Sequence, residues 1–192
     1  TTQSADALAQ AVGESSDAQP ATVEAQPVVN DLSEAETRKL YIDLLLHEAG
    51  WTVTEQVGKI VPRQAGIEIE VQGMPNESGM GYADYVLFDA DVTPLAVVEA
   101  KRTSVDAVAG RHQAELYADC LAARYVCPRP VIYYTNGFET NIIDGIGYPS
   151  RKVMGFHTID ELRRMIAQRG RADITDLQIS DRITNRNYQK RM

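Results

Sequence analysis

Hydrophobic and polar positions alternate along the chain in short segments of helical or strand character. The first helical segment has Leu40 and Leu44 one turn apart on the same face. Ser33 and Glu36 precede them in the S-x-x-E spacing of a capping box, which satisfies the amides at a helix start. Gly50 is a typical residue just past a helix end. The pattern therefore predicts a helix that begins near Ser33 and ends near Gly50.

Most of the remaining apolar segments are short and bounded by turn residues, which is typical of strands. Five segments of this kind predict strands over 51–57, 67–71, 82–88, 95–101 and 131–135. Two more helices are predicted, from about Asp106 to Arg124 and from Thr158 to Gln168. The resulting order, α-β-β-β-β-α-β-α, predicts an α/β domain with a mixed central β-sheet flanked by helices.

Composition narrows the class of protein. The chain has 192 residues, of which 44% are hydrophobic, and this is sufficient for one globular domain of ordinary size. No run of 18 apolar residues is present, which excludes a transmembrane helix. The first residues lack the basic and apolar regions of a signal peptide, and the chain has only two cysteines. A reduced, cytoplasmic setting is therefore the prediction.

Charge is unevenly distributed along the chain. The formal net charge is −8, yet residues 1–37 contain seven acids and no Lys or Arg. Residues 182–192 reverse the sign, with four basic residues and no acid. We predict an acidic flexible N-terminal arm over 1–32, a folded domain over 33–172 and a basic linker over 173–192. The overall acidity excludes a strongly basic protein that coats nucleic acid.

Three ionisable residues stand out on the two strongest predicted strands. Small and apolar residues occupy both faces of the strand 95–101, so this strand is predicted to be central. Glu99 and Lys101 nevertheless lie on one face near its end, two positions apart. Asp84 lies within the neighbouring apolar strand, which is predicted to pair with it as an antiparallel hairpin. Buried ions need partners, so these three groups are expected to come together.

Such a group could hold a hard divalent cation. Mg²⁺ prefers oxygen ligands and is usually bound through one or two carboxylates and several waters, here Asp84 and Glu99. A metal held in this way polarises a phosphodiester and activates water, and Lys101 could stabilise the developing charge. The alternative for Glu99 and Lys101 is a structural ion pair at the end of a strand.

The Asp, Glu-x-Lys pattern resembles the signature of PD-(D/E)xK nucleases, with Ala83-Asp84 in place of Pro-Asp. Gln113 and Tyr117 follow at i and i+4 on one face of the next predicted helix. This combination resembles the N-terminal nuclease domain of the restriction (R) subunit of type I restriction enzymes. Four further segments are similar to that family: Glu36-Thr37-Arg38-Lys39-Leu40, Gly50-Trp51, Tyr134-Thr135-Asn136-Gly137 and Asn187-Tyr188-Gln189.

The resemblance implies a restriction-endonuclease-like PD-(D/E)xK core with a catalytic metal site at Asp84, Glu99 and Lys101. Asp84 and Glu99 would bind Mg²⁺, and Gln113 and Tyr117 would position the DNA backbone or a water at the metal. Glu36 is a further candidate that would add a carboxylate from the first helix. Its alternative role is the helix cap.

The implied activity is Mg²⁺-dependent hydrolysis of phosphodiester bonds in double-stranded DNA, in a complex with methylation and specificity subunits. ATP would act only through a helicase motor, because Gly58-Lys59 lacks the remaining residues of a phosphate-binding loop. The alternative function is a non-catalytic docking or DNA-clamping module of a DNA-translocating complex. A carboxylate-pair glycosidase is disfavoured, since Lys101 has no required role in one. The net charge of −8 predicts weak DNA binding and little free-standing nuclease activity.

Overall fold

The computed structural model describes residues 33–169. The predicted acidic arm (1–32) and basic linker (173–192) lie outside the described residues and stay predictions. No helix in the described part is long and apolar enough to cross a membrane.

Seven strands form one sheet, and their spatial order is their order along the chain. They cover Thr52–Val57 (β1), Gln64–Gln72 (β2), Met80–Phe88 (β3), Pro94–Ala100 (β4), Val131–Thr135 (β5), Thr140–Ile143 (β6) and Arg151–Val153 (β7). β1 pairs with β2, and β4 with β5, in parallel; the other neighbours are antiparallel. The prediction of a mixed central sheet is confirmed.

Helices cover both faces of this sheet. They are Glu34–Thr37 (α1), Asp43–Glu48 (α2), Arg111–Tyr125 (α3) and Ile159–Gln168 (α4). Ile42 and Leu46 from the first helical segment and Leu162 from α4 pack on one face, while α3 packs on the other through residues such as Leu121. The central strand β4 is buried over its whole length, as its apolar sequence predicts.

The first and second predicted helices are divided more finely than the sequence indicates. Arg38–Ile42 forms a π-helical turn between α1 and α2. Asp106 caps a short 3-10 turn, Ala107–Gly110, by accepting a hydrogen bond from the amide of Val108, and α3 begins only after that turn.

The sequence pattern does not reveal β6 and β7. β6 has four residues and β7 has three, and such lengths show no readable periodicity. In β7, Arg151 and Lys152 are exposed charged residues, which are unfavourable signals for a strand. β6 forms because it pairs with the free edge of β5, and β7 forms because it pairs with the free edge of β6.

The predicted capping box of α4 is present. Thr158 Oγ1 accepts a hydrogen bond from the amide of Glu161, and the Glu161 carboxylate accepts one from the amide of Thr158. Thr158→Ala should therefore lower the free energy of unfolding by about 1 kcal/mol. Urea denaturation would measure the loss. Thr158→Ser keeps the hydroxyl and should be close to wild type; an equal loss in both variants would contradict the capping role.

Candidate active site

The candidate site lies where β4 and β5 end. These strands are parallel, so their carboxyl ends meet at one edge of the sheet. The amide of Lys101 donates to the carbonyl of Thr135 across that edge at 2.8 Å. Open α/β sheets commonly place their binding residues outside the carboxyl ends of strands. Glu99 is only 2% exposed here, so a charged group has been placed inside the protein.

Lys101 connects Glu99 to α3. Its ammonium nitrogen lies 2.8 Å from Glu99 Oε1 and 3.4 Å from Gln113 Oε1. The Gln113 amide in turn donates to the hydroxyl of Tyr117 at 2.7 Å. Burial raises the pKa of Tyr117, so its phenol stays protonated at neutral pH. Four of the residues selected from the sequence thus form one continuous polar chain.

Asp84 lies next to this chain, on β3. The ladder between β3 and β4 ends at the Tyr85–Val98 pair, so Asp84 and Glu99 occupy the next positions on the two strands. Asp84 Oδ2 accepts a hydrogen bond from the amide of Ala100 at 2.7 Å. The candidate carboxylate is therefore fixed to the residue that follows Glu99.

Asp84 lies where two strands change the face that their side chains occupy. Tyr85 and its partner Ile67 pack in the core under the first helical segment, whereas Ala83 and its partner Ile69 pack under α3. Regular strands keep residues two apart on one face, so the alternation is broken between these pairs. The break coincides with Glu68, whose φ of 47° is in the left-handed region.

Arg38 completes the surroundings of Asp84. Its Nη1 lies 3.0 Å from Asp84 Oδ1 and 3.1 Å from Glu68 Oε1. In the sequence, Arg38 stands out only as part of a family-like segment, and Glu68 does not stand out as a site residue. The available signal was weak: Glu68 reads as one of the polar positions of an alternating strand.

Two glycines allow the close packing around the site. A Cβ atom at Gly81 would lie 2.7 Å from Tyr117 Cε1, and one at Gly110 would lie 3.0 Å from Glu99 Cγ. Larger residues at these positions would displace the side chains that form the site. Gly81 in β3 and Gly110 before α3 therefore leave the space that the side chains of the polar chain occupy.

Glu36 lies apart from this arrangement in its contacts. Its exposed carboxylate accepts hydrogen bonds from the amide and the hydroxyl of Ser33, at 2.9 and 2.7 Å. These bonds lower the pKa of Glu36. They correspond to the capping role that was its alternative reading, and its catalytic role stays a prediction.

The donor atoms fit a hard cation with a limited protein ligand set. Asp84 and Glu99 supply carboxylate oxygens from adjacent strands, which suits Mg²⁺ bound largely through water. Within residues 33–169, no group of three or more His, Cys, Asp or Glu side chains is arranged to hold a metal ion. A cation at this edge would therefore depend on the two carboxylates and on solvent.

Comparisons with known proteins point to one class. The family described as "Type I restriction enzyme EcoKI endonuclease subunit second domain" matches residues 58–138, which include Asp84, Glu99, Lys101, Gln113 and Tyr117. The resemblance to a region of the R subunit of type I restriction enzymes is thereby confirmed.

Two particular proteins carry the same likeness. The type I restriction enzyme EcoKI endonuclease subunit of Escherichia coli (strain K12) is 38% identical over 97 residues, which are 47% of this chain and 8% of that protein. A fragment structure of a protein assigned as the HsdR subunit of a type I restriction enzyme from Vibrio vulnificus YJ016 matches with a TM-score of 0.54 and 26% identity. That match covers 72% of this chain and 26% of the other chain. The chain thus corresponds to a small part of each relative.

Proposed function

We propose that this chain is a Mg²⁺-dependent endonuclease domain of a type I restriction-modification R subunit, which hydrolyses phosphodiester bonds in duplex DNA. The observation that carries the proposal is the joining of Asp84, Glu99, Lys101, Gln113 and Tyr117 at one edge of the sheet. A PD-(D/E)xK core is part of the proposal, since a hairpin strand supplies the Asp and the next strand supplies Glu-x-Lys. The family match over 58–138 supports it.

In this mechanism Asp84 and Glu99 would hold the cation, and a bound Mg²⁺ would polarise the phosphate and lower the pKa of a water. Lys101 is held in place by Glu99 and Gln113, so its positive charge would lie beside the cation and would stabilise negative charge on a phosphate. Gln113 and Tyr117 extend the polar surface along α3 and would position the DNA backbone. Lys101 therefore contributes charge, and α3 contributes alignment.

The proposed setting is a cytoplasmic complex with methylation and specificity subunits and an ATP-driven motor. Most of the chain's net charge of −8 comes from its N-terminal 37 residues, and an acidic chain binds DNA weakly by itself. Partner subunits would therefore bring DNA to the site. Cleavage by the isolated chain is expected to be slow for this reason.

The test of the proposed metal site is Asp84→Asn in the assembled complex, with plasmid cleavage measured over a range of Mg²⁺ concentrations. Loss of one ligand charge should weaken the apparent metal affinity by about 10- to 100-fold, and added Mg²⁺ should restore part of the rate. Asp91→Asn is the matched control, because Asp91 is an exposed acid in the turn of the same hairpin. Wild-type cleavage by Asp84→Asn at every Mg²⁺ concentration would contradict the proposal.

The second candidate is a non-catalytic docking or DNA-clamping module. The observation that favours it is that Glu99 and Asp84 already have cationic partners in Lys101 and Arg38, as structural ion pairs do. This candidate requires unchanged cleavage in the Asp84 variant and no binding of Mg²⁺ or Mn²⁺ by calorimetry. Both measurements separate it from the nuclease.

A further inference from the structure

A single guanidinium nitrogen serves two carboxylates beside the candidate metal site. Arg38 Nη1 lies 3.0 Å from Asp84 Oδ1 and 3.1 Å from Glu68 Oε1. The side chains of Arg38 and Asp84 are 18% and 19% exposed, while that of Glu68 is 42% exposed. The inner partner of Arg38 is therefore the candidate metal ligand, and the outer partner faces solvent.

Arg38 and Glu68, the two residues beside Asp84, both have an irregular backbone conformation. Arg38 begins the π-helical turn Arg38–Ile42, and Glu68 has a φ of 47°. π-helical turns and left-handed non-glycine residues are uncommon, and both are concentrated at functional sites. The two irregular positions thus carry side chains that contact each other beside Asp84.

We propose that Arg38 is a positioning residue that acts as a movable counter-ion for Asp84. Before a cation binds, Arg38 neutralises Asp84; when a cation binds to Asp84, Arg38 moves outward and pairs with Glu68 alone. This proposal rests on the proposed metal site. It assigns Glu68 the role of holding the guanidinium that the cation displaces.

Electrostatic repulsion supports such a movement. The guanidinium of Arg38 lies 3.0 Å from Asp84 Oδ1. A divalent cation bound to Asp84 would compete with Arg38 for that same carboxylate. Because a guanidinium and a metal ion on the same carboxylate repel each other strongly at partly buried positions, movement of Arg38 away from Asp84 lowers the energy.

There is space for the movement. A cavity of about 720 Å³ is lined by Arg38 and Glu68 together with Glu55, His47 and Asp43. Arg38 therefore borders open volume into which its guanidinium can move away from Asp84. Asp84 would keep its hydrogen bond from the amide of Ala100, so its carboxylate stays in place during the exchange.

A double-mutant cycle on Mn²⁺ binding tests the proposal, with calorimetry on the full chain carrying Arg38→Gln, Glu68→Gln or both. Arg38→Gln should tighten Mn²⁺ binding about fivefold, since the competing cation is gone. Glu68→Gln should weaken binding about fivefold, because Arg38 then remains on Asp84. The double variant should match Arg38→Gln, since Glu68 has no role once the guanidinium is absent.

Glu55→Gln is the matched control, because it removes the same charge from the same cavity. It should change Mn²⁺ affinity by less than about twofold. If Arg38→Gln does not fold, Arg38→Lys provides the comparison. Its affinity for Mn²⁺ should rise about twofold, because a lysine ammonium contacts Asp84 less extensively than a guanidinium does.

Two results would overturn the counter-ion role while leaving the nuclease proposal intact. One is an additive cycle, in which the double variant returns to wild-type affinity, since general electrostatics alone would produce it. The other is weaker Mn²⁺ binding by Arg38→Gln, which would make Arg38 a fixed scaffold. Absence of Mn²⁺ binding in the wild-type chain and in every variant would overturn both the counter-ion role and the metal site.

Discussion

Replacement of Lys101 by Met should lower the rate of DNA cleavage by about 10²- to 10³-fold, the usual cost of removing one group that stabilises charge in a transition state. The ammonium of Lys101 is held between Glu99 Oε1 at 2.8 Å and Gln113 Oε1 at 3.4 Å, so it is oriented before DNA arrives. Met retains most of the length of the aliphatic side chain and removes the charge. Single-turnover cleavage by the assembled complex would measure the loss.

The matched control is Lys152→Met. Lys152 also pairs with a glutamate, Glu139, at 2.6 Å, but the two side chains are 70% and 47% exposed. Exposed pairs contribute little, so this variant should cleave DNA at close to the wild-type rate. Measurement of Mn²⁺ binding by Lys101→Met would show whether the variant is impaired in the cleavage step or in binding the metal. Equal cleavage by the two lysine variants would contradict a catalytic role for Lys101.

Trp51→Ala should lower the free energy of unfolding by about 3–5 kcal/mol, the range for removal of a large buried aromatic side chain. Trp51 is 1% exposed and packs in the core between the first helical segment and α4. Its indole nitrogen also donates to the carbonyl of His157 at 2.9 Å, so the change leaves a partly buried acceptor without this donor. Urea denaturation followed by circular dichroism would give the difference.

Leu44→Ala is the corresponding control. Leu44 belongs to the same N-terminal helical segment, but it is 57% exposed. Its truncation should change the free energy of unfolding by less than about 0.5 kcal/mol. A similar loss in the two variants would mean that the effect of Trp51→Ala does not come from the burial of its side chain.

The central part of the sheet could be predicted from the sequence because its signals are local. The strand 95–101 has small and apolar residues on both faces, and β4 is fully buried at the middle of the sheet. The spacing of Glu99 and Lys101 predicts a shared face, and the structure places their charged atoms 2.8 Å apart. Gln113 and Tyr117 likewise follow from the helical period, and their side chains meet.

The surroundings of Asp84 could not be predicted in the same way. Arg38 reaches Asp84 from 46 positions earlier in the chain, and it does so from a π-helical turn. Glu68 adopts a left-handed conformation that a regular strand pattern does not indicate. The parallel pairing of β1 with β2 also depends on tertiary contacts, since adjacent strands with a short connection more often pair antiparallel.

The position of β4 has a consequence for how long the site keeps its geometry. All seven residues of β4 are buried, and neighbours on both sides supply hydrogen bonds along it. Amide protons in such a strand exchange with solvent only when most of the domain opens, whereas edge strands such as β1 and β7 open locally at small cost. Glu99 therefore lies on the segment that opens last. Local opening of the edge strands should leave the position of its carboxylate unchanged.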